Sequence, residues 1–91
     1  MKFKTYKTEE VKTDSRIDKG YLIAHDSPFF RKREFHFLKK DGKFFSTNVE
    51  EAKVFPTMAA AEKAKDKLNK QLRERNHPLE GLVFVCEVVG E

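Results

Sequence analysis

Phe29-Phe30-Arg31-Lys32-Arg33-Glu34-Phe35-His36-Phe37-Leu38-Lys39-Lys40-Asp41-Gly42-Lys43-Phe44-Phe45 is the stretch whose reading decides the fold. It gathers six of the nine phenylalanines and six basic residues around one Asp-Gly pair. A type I′ turn needs positive φ at both central positions, which Asp and Gly accept at little cost, so Asp41-Gly42 predicts a two-residue hairpin loop. With that loop Lys40 faces Lys43, Lys39 faces Phe44, Leu38 faces Phe45 and Phe37 faces Ser46. The two-residue period of a strand then sets Phe35, Phe37 and Phe44 on one face, with Leu38 and Phe45 on the other. One core needs only one of those faces. Either both are covered or an aromatic patch is left exposed as an interaction site.

Before the hairpin, residues 21–25 form a short apolar run introduced by Gly20 and closed by Asp26-Ser27-Pro28, which predicts a first core strand. The first nineteen residues mix six bases with four acids and hold few apolar groups. Residues 2–6 are expected to add an edge strand and residues 8–18 to be loose. After the hairpin, residues 52–55 predict a short strand stopped by Pro56. Thr57 is then a fitting N-cap for a helix over 58–75, because its hydroxyl can accept from an unpaired amide of the first turn. Ala61, Ala64, Leu68 and Leu72 recur on one stripe of that helix, and the opposite face carries Lys63, Asp66, Lys67, Lys70 and Glu74. Asp66 to Lys70 and Lys70 to Glu74 have the spacing of opposite-charge pairs. Asn76-His77-Pro78 ends the helix, and residues 82–89 are apolar at almost every position, as expected of a strand covered on both faces or lying in the middle of a sheet.

These elements predict an α+β fold: an antiparallel or mixed sheet of about four to five strands in the order β-β-β-β-α-β, with one long helix packed on one face. Ninety-one residues suffice for a single modest core. Residues 20–91 are expected to form that domain and residues 1–19 a partly flexible segment. Charged residues make up 37% of the chain, and no apolar run approaches the roughly 20 residues needed to cross a bilayer. Met1-Lys2-Phe3-Lys4 has no apolar stretch after its lysines, so no secretory leader, a cytoplasmic setting and no membrane partner are expected.

The net charge of +4 is unevenly spread. Residues 29–45 carry six bases against Glu34 and Asp41, residues 62–75 six bases against three acids, and the tail is acidic through Glu80, Glu87 and Glu91. Such asymmetry suits a polyanion or an acidic protein surface. The single cysteine, Cys86, lies in an apolar run and reads as a small buried residue rather than a nucleophile. His25, His36 and His77 fall on three different elements without a second ligand at metal spacing, and His36 reads as a cross-strand surface residue. Ser15, Ser27 and Ser46 carry no nucleophile elbow, the four glycines are not clustered, and Glu50-Glu51 point to different sides. No enzyme, cofactor or metal is expected.

Gly42-Lys43-Phe44-Phe45, then Glu51-Ala52-Lys53-Val54-Phe55, then Thr57 with Ala60-Ala61-Glu62-Lys63-Ala64, then an aliphatic closing strand, resembles small phage-encoded α+β domains over 42–89. The resemblance implies structural roles: Ala52 and Phe55 fix the short strand to the core, and Ala61 and Ala64 dock the helix. It also implies a setting, since small early phage proteins commonly bind and redirect or block a host macromolecule. The Arg-Lys-Arg cluster lies outside the match.

The leading expectation is a non-enzymatic binding protein that inhibits or modulates a host protein, as a monomer or homodimer. Its contact residues are Phe30, Arg31, Lys32, Arg33, Lys39, Lys40, Lys43 and Phe45. The competing expectation is DNA or RNA binding, with the bases neutralising phosphates and Phe35, Phe37 or Phe44 stacking on nucleobases.

Overall fold

The computed structural model describes residues 2–4, 10–12, 19–26, 35–42 and 45–89. At the centre of its sheet, Gly20–Asp26 and Val83–Val89 run antiparallel, with Ile23 opposite Val85 and Leu22 opposite Cys86. In chain order the strands are β1 (Lys2–Lys4), β2 (Glu10–Lys12), β3 (Gly20–Asp26), β4 (Phe35–Leu38), β5 (Phe45–Ser46) and β6 (Val83–Val89), with helix α1 (Met58–Glu74) between β5 and β6. Across the sheet they are ordered β2-β1-β6-β3-β4-β5, and every neighbouring pair is antiparallel. The α+β class and the single long helix on the sheet are as the sequence predicts. The strand total exceeds expectation because both Lys2–Lys4 and Glu10–Lys12 pair. Lys2–Lys4 is not an edge strand: β2 lies outside it, in a stretch expected to be loose. Charges flank one apolar residue in each triplet, and the register aligns Val11, Phe3 and Val88 in one row.

The near-continuous apolar runs in β3 and β6 are explained by a sheet that buries both faces. On one, Leu22, Ala24, Phe37, Phe84, Cys86 and Val88 form a cluster with Val49 and Ala52. On the other, Ile23, Leu38, Val83 and Val85 meet Ala61, Ala64, Leu68 and Leu72 of α1. Leu22, Ile23 and Cys86 are wholly inaccessible. Each large aliphatic side chain buried in this way contributes about 1.5–3 kcal/mol before the entropy of ordering it is set against the gain.

The hairpin register is the expected one, Phe37 opposite Ser46 and Leu38 opposite Phe45. The turn is not. The Gly42 amide donates to the Lys39 carbonyl at 2.8 Å, which places Lys40 and Asp41 at the corners, and Gly42 alone among these residues has positive φ, at 74°. A type I corner asks no residue to enter the left-handed region, so a single glycine after it suffices where type I′ would need two. The segment expected as a strand at 52–55 is instead a pair of isolated bridges, Lys39 to Ala52 and Tyr21 to Phe55, following a 3-10 turn at Val49–Glu51. β4 stops at Leu38, and this segment steps into the place beside β3 that β4 vacates.

Gly20 marks the closest approach. Its φ is +125°, and a Cβ there would lie 2.5 Å from Val54 Cγ1 and 3.1 Å from the Phe55 carbonyl oxygen. The mutual hydrogen bonds of Tyr21 and Phe55, at 2.8 and 2.9 Å, hold the two segments at that distance. Thr57 caps α1 as predicted, its Oγ1 accepting from the Ala60 amide at 3.1 Å. The helix ends in a Schellman motif: His77 N–H donates to the Leu72 carbonyl, Asn76 N–H to that of Arg73, and Asn76 adopts φ 50°.

Candidate functional site

Three backbone hydrogen bonds clamp the end of the sheet where the cationic hairpin turns. Besides the Gly42 to Lys39 bond, the Lys40 amide donates to the Glu51 carbonyl at 3.1 Å and the Lys53 amide to that of Leu38 at 2.8 Å. The 3-10 turn behind them is itself capped, Asn48 Oδ1 accepting from the Glu50 amide at 3.1 Å. The result fixes Lys39, Lys40 and Lys53 on one rim. Lys40 and Lys53 are exposed and Lys39 half-buried.

Lys53 was not among the expected contact residues. Its ammonium stands 5.4 Å from the centre of the Phe55 ring, a cation–π distance. The signal was present in Lys53-x-Phe55, whose spacing puts both side chains on one side of an extended segment.

Of the expected contact residues, Lys39, Lys40 and Phe45 fall within the described structure, whereas Phe30, Arg31, Lys32, Arg33 and Lys43 lie outside it. Phe45 is half-buried and packs with the helix-side core. Phe37 is 3% exposed, and Phe35 packs edge-on against Phe84 with ring centres 6.2 Å apart. The rings at these positions therefore serve the two cores.

The histidines are not all separate. His25 and His36 are cross-strand partners whose rings stack at 4.7 Å and 15°, and Phe45 meets His25 edge-on at 4.6 Å. His25 is 5% exposed and His36 half-buried, so the surface position expected for His36 is corrected. Sequence separation concealed the pair because the register of β3 against β4 cannot be read from either strand alone. Near-parallel ring planes do not converge their nitrogens on one point, and no third metal-ligating side chain joins them among the described residues.

On α1 the expected Asp66–Lys70 and Lys70–Glu74 pairs give way to a different set. Lys65 Nζ lies 2.7 Å from Glu62 and 3.8 Å from Asp66, and Arg73 Nε donates to Glu80 at 2.9 Å. The hydrogen bond with Glu62 holds the Lys65 pKa above its ordinary value, with the Asp66 charge adding to it. Lys65 flanks the buried stripe and reaches both acids, whereas an exposed head such as that of Lys70 gains little from a surface pair over water. Burial pushes the Cys86 thiol up to about 12, which removes the thiolate that nucleophilic chemistry would need.

At the same end of the sheet as the hairpin turn, Lys19, Gly20, Tyr21, Pro56, Glu87 and Val88 line a shallow open groove of about 280 Å³. Among the described residues no helix is long and apolar enough to cross a membrane. No family model matches the chain, and no similar curated protein or solved structure is found.

Proposed function

We propose that the chain is a small non-enzymatic binding protein that docks on a host protein and inhibits or modulates it through the rim around the β4–β5 turn. The observation that supports this reading is the backbone clamp formed by Gly42, Lys40 and Lys53 with the carbonyls of Lys39, Glu51 and Leu38. A rim whose backbone is already ordered loses less conformational freedom when a partner docks. Its lysines suit an acidic patch on that partner, because complementary charge speeds encounter and fixes register. A protein surface fits better than stacked nucleobases, since Phe35 and Phe37, two of the three rings expected to stack, pack in one core, and the third, Phe44, lies outside the described residues. The phage origin and the cytoplasmic setting rest on the sequence resemblance over 42–89 and on composition alone.

The test is affinity purification of the tagged chain from bacterial lysate, with and without nuclease, followed by reconstitution with the purified candidate. The expected result is a nuclease-resistant, stoichiometric complex that a folded Lys39→Glu/Lys40→Glu variant does not form. Recovery of nuclease-sensitive material alone would favour DNA or RNA binding, and an unimpaired double variant would remove the rim from the interface.

A further inference from the structure

The charges of α1 are sorted between two sides of the helix. At about 100° of turn per residue, Glu62, Lys65 and Arg73 run along one flank beside the buried stripe, while Lys63, Lys67 and Lys70 fall within about 60° of arc on the outward face. The acids are drawn toward the flank. Lys65 holds Glu62 at 2.7 Å and Asp66 at 3.8 Å, and Arg73 bonds to Glu80 of the loop that folds back there, next to the Gly81 amide's bond to Asn69. Lys63, Lys67 and Lys70 are exposed, and their ammonium groups enter no ion pair among the described residues. Glu74 interrupts the row only at its C-terminal end, and the first turn of the helix carries no acid.

We propose that this lysine row docks on the phosphate backbone of duplex nucleic acid, as a second surface distinct from the rim around the β4–β5 turn. Opposite charges four residues apart stabilise a helix, yet Asp66 pairs with Lys65 instead of Lys70, which leaves a positive strip about 10 Å long between Lys63 and Lys70. A duplex carries one phosphate per about 1.7 Å of its axis, so a strip of that length meets several at once and releases their counterions. Lysine acts as a point charge and contacts phosphate without reading base edges. No aromatic residue stands in the row, so the contact needs no stacking ring and the burial of Phe35 and Phe37 does not oppose it. Ala59, Ala60 and Gln71 border the row and give a lipid bilayer nothing large and apolar to bury.

The test is fluorescence anisotropy of a labelled duplex of about 20 base pairs, titrated with the intact chain to about 500 µM at salt from about 25 to about 100 mM. Three phosphate contacts give a slope of log association constant against log salt of about −2.7 or steeper, which is a weakening of about fortyfold across that range. Lys63→Gln/Lys67→Gln/Lys70→Gln keeps good helix formers at exposed positions, so circular dichroism should be unchanged while the slope flattens by about 2.7. Glu74→Lys lengthens the row and should steepen the slope by about 0.9 while tightening binding. The proposal is overturned by a wild-type chain that leaves the duplex unbound at the lowest salt, by a folded triple variant with the wild-type slope, or by a Glu74→Lys slope no steeper than wild type. Tighter binding of polyglutamate than of a duplex of equal charge would assign the row to an acidic protein surface and overturn it as well.

Discussion

Replacing Gly20 by alanine should be among the most damaging single-methyl changes available in this protein, and two separable costs make up the effect. The first is torsional: a non-glycine residue held at φ +125° is strained by about 1–3 kcal/mol. The second is steric, because the new Cβ would lie 2.5 Å from Val54 Cγ1 and 3.1 Å from the Phe55 carbonyl oxygen. Relieving such overpacking costs about 1–3 kcal/mol through displaced side chain or backbone. The Tyr21–Phe55 hydrogen bonds oppose that displacement, so the two costs add to about 2–6 kcal/mol, a large part of the roughly 5–14 kcal/mol expected for a domain of this length. Urea denaturation followed by circular dichroism reads the loss as a lowered midpoint at unchanged slope. Val54→Ala, at a position 40% exposed, should be nearly silent alone but should recover the Val54 share of the steric cost in the Gly20→Ala background, the contact with the Phe55 carbonyl remaining. A Gly20→Ala midpoint equal to wild type would refute the account of the β3 crossing. A double variant no more stable than Gly20→Ala would refute the role given to Val54.

Asn76→Gly should stabilise the chain by about 0.5–1 kcal/mol, because φ 50° at the end of α1 is freer for glycine, and a thermal melt reads the gain directly. Thr57→Ala should cost about 1 kcal/mol in the same assay by leaving the Ala60 amide without its acceptor. Cys86 should resist an aromatic disulfide reagent at pH 8 in the native state and react fully in denaturant. Its folded-state thiol is raised above the unfolded one, so the unfolded chain loses its proton first and stability should fall between about pH 9 and pH 12. Cys86→Ala should flatten that decline by close to one proton, measured by urea unfolding across the range.

Much of this architecture can be read from the sequence where one local signal dominates. The nearly continuous apolar run at 82–89 marked β6 as a covered strand, Thr57 announced the cap, and the Asp41-Gly42 loop gave the register of Phe37 with Ser46. The failures share a cause, which is competition between local options decided by distant partners. Asp41-Gly42 was open to two turn types. The choice follows the bonds that bind Lys40 and Lys53 to Glu51 and Leu38. Glu10-Val11-Lys12 holds one apolar residue and looks loose alone, yet it becomes a strand because Lys2–Lys4 offers a ladder in register. His25 and His36 meet only once β3 and β4 align. Of the candidate rim, Lys39 and Lys40 were legible in the sequence and Lys53 was not, and the rings were ambiguous because period-two phenylalanines can serve either face of a sheet that turns out to bury both.

The position of β6 has a consequence for how the chain acquires its shape. β1 and β3 are made early, but both of them flank a strand made after all the others. Until Val83–Val89 has emerged from the ribosome, each exposes an unsatisfied backbone edge and α1 lacks half the surface it rests on. Such long-range closure slows folding. Commitment to the native sheet should therefore wait on one event, the insertion of β6 between β1 and β3.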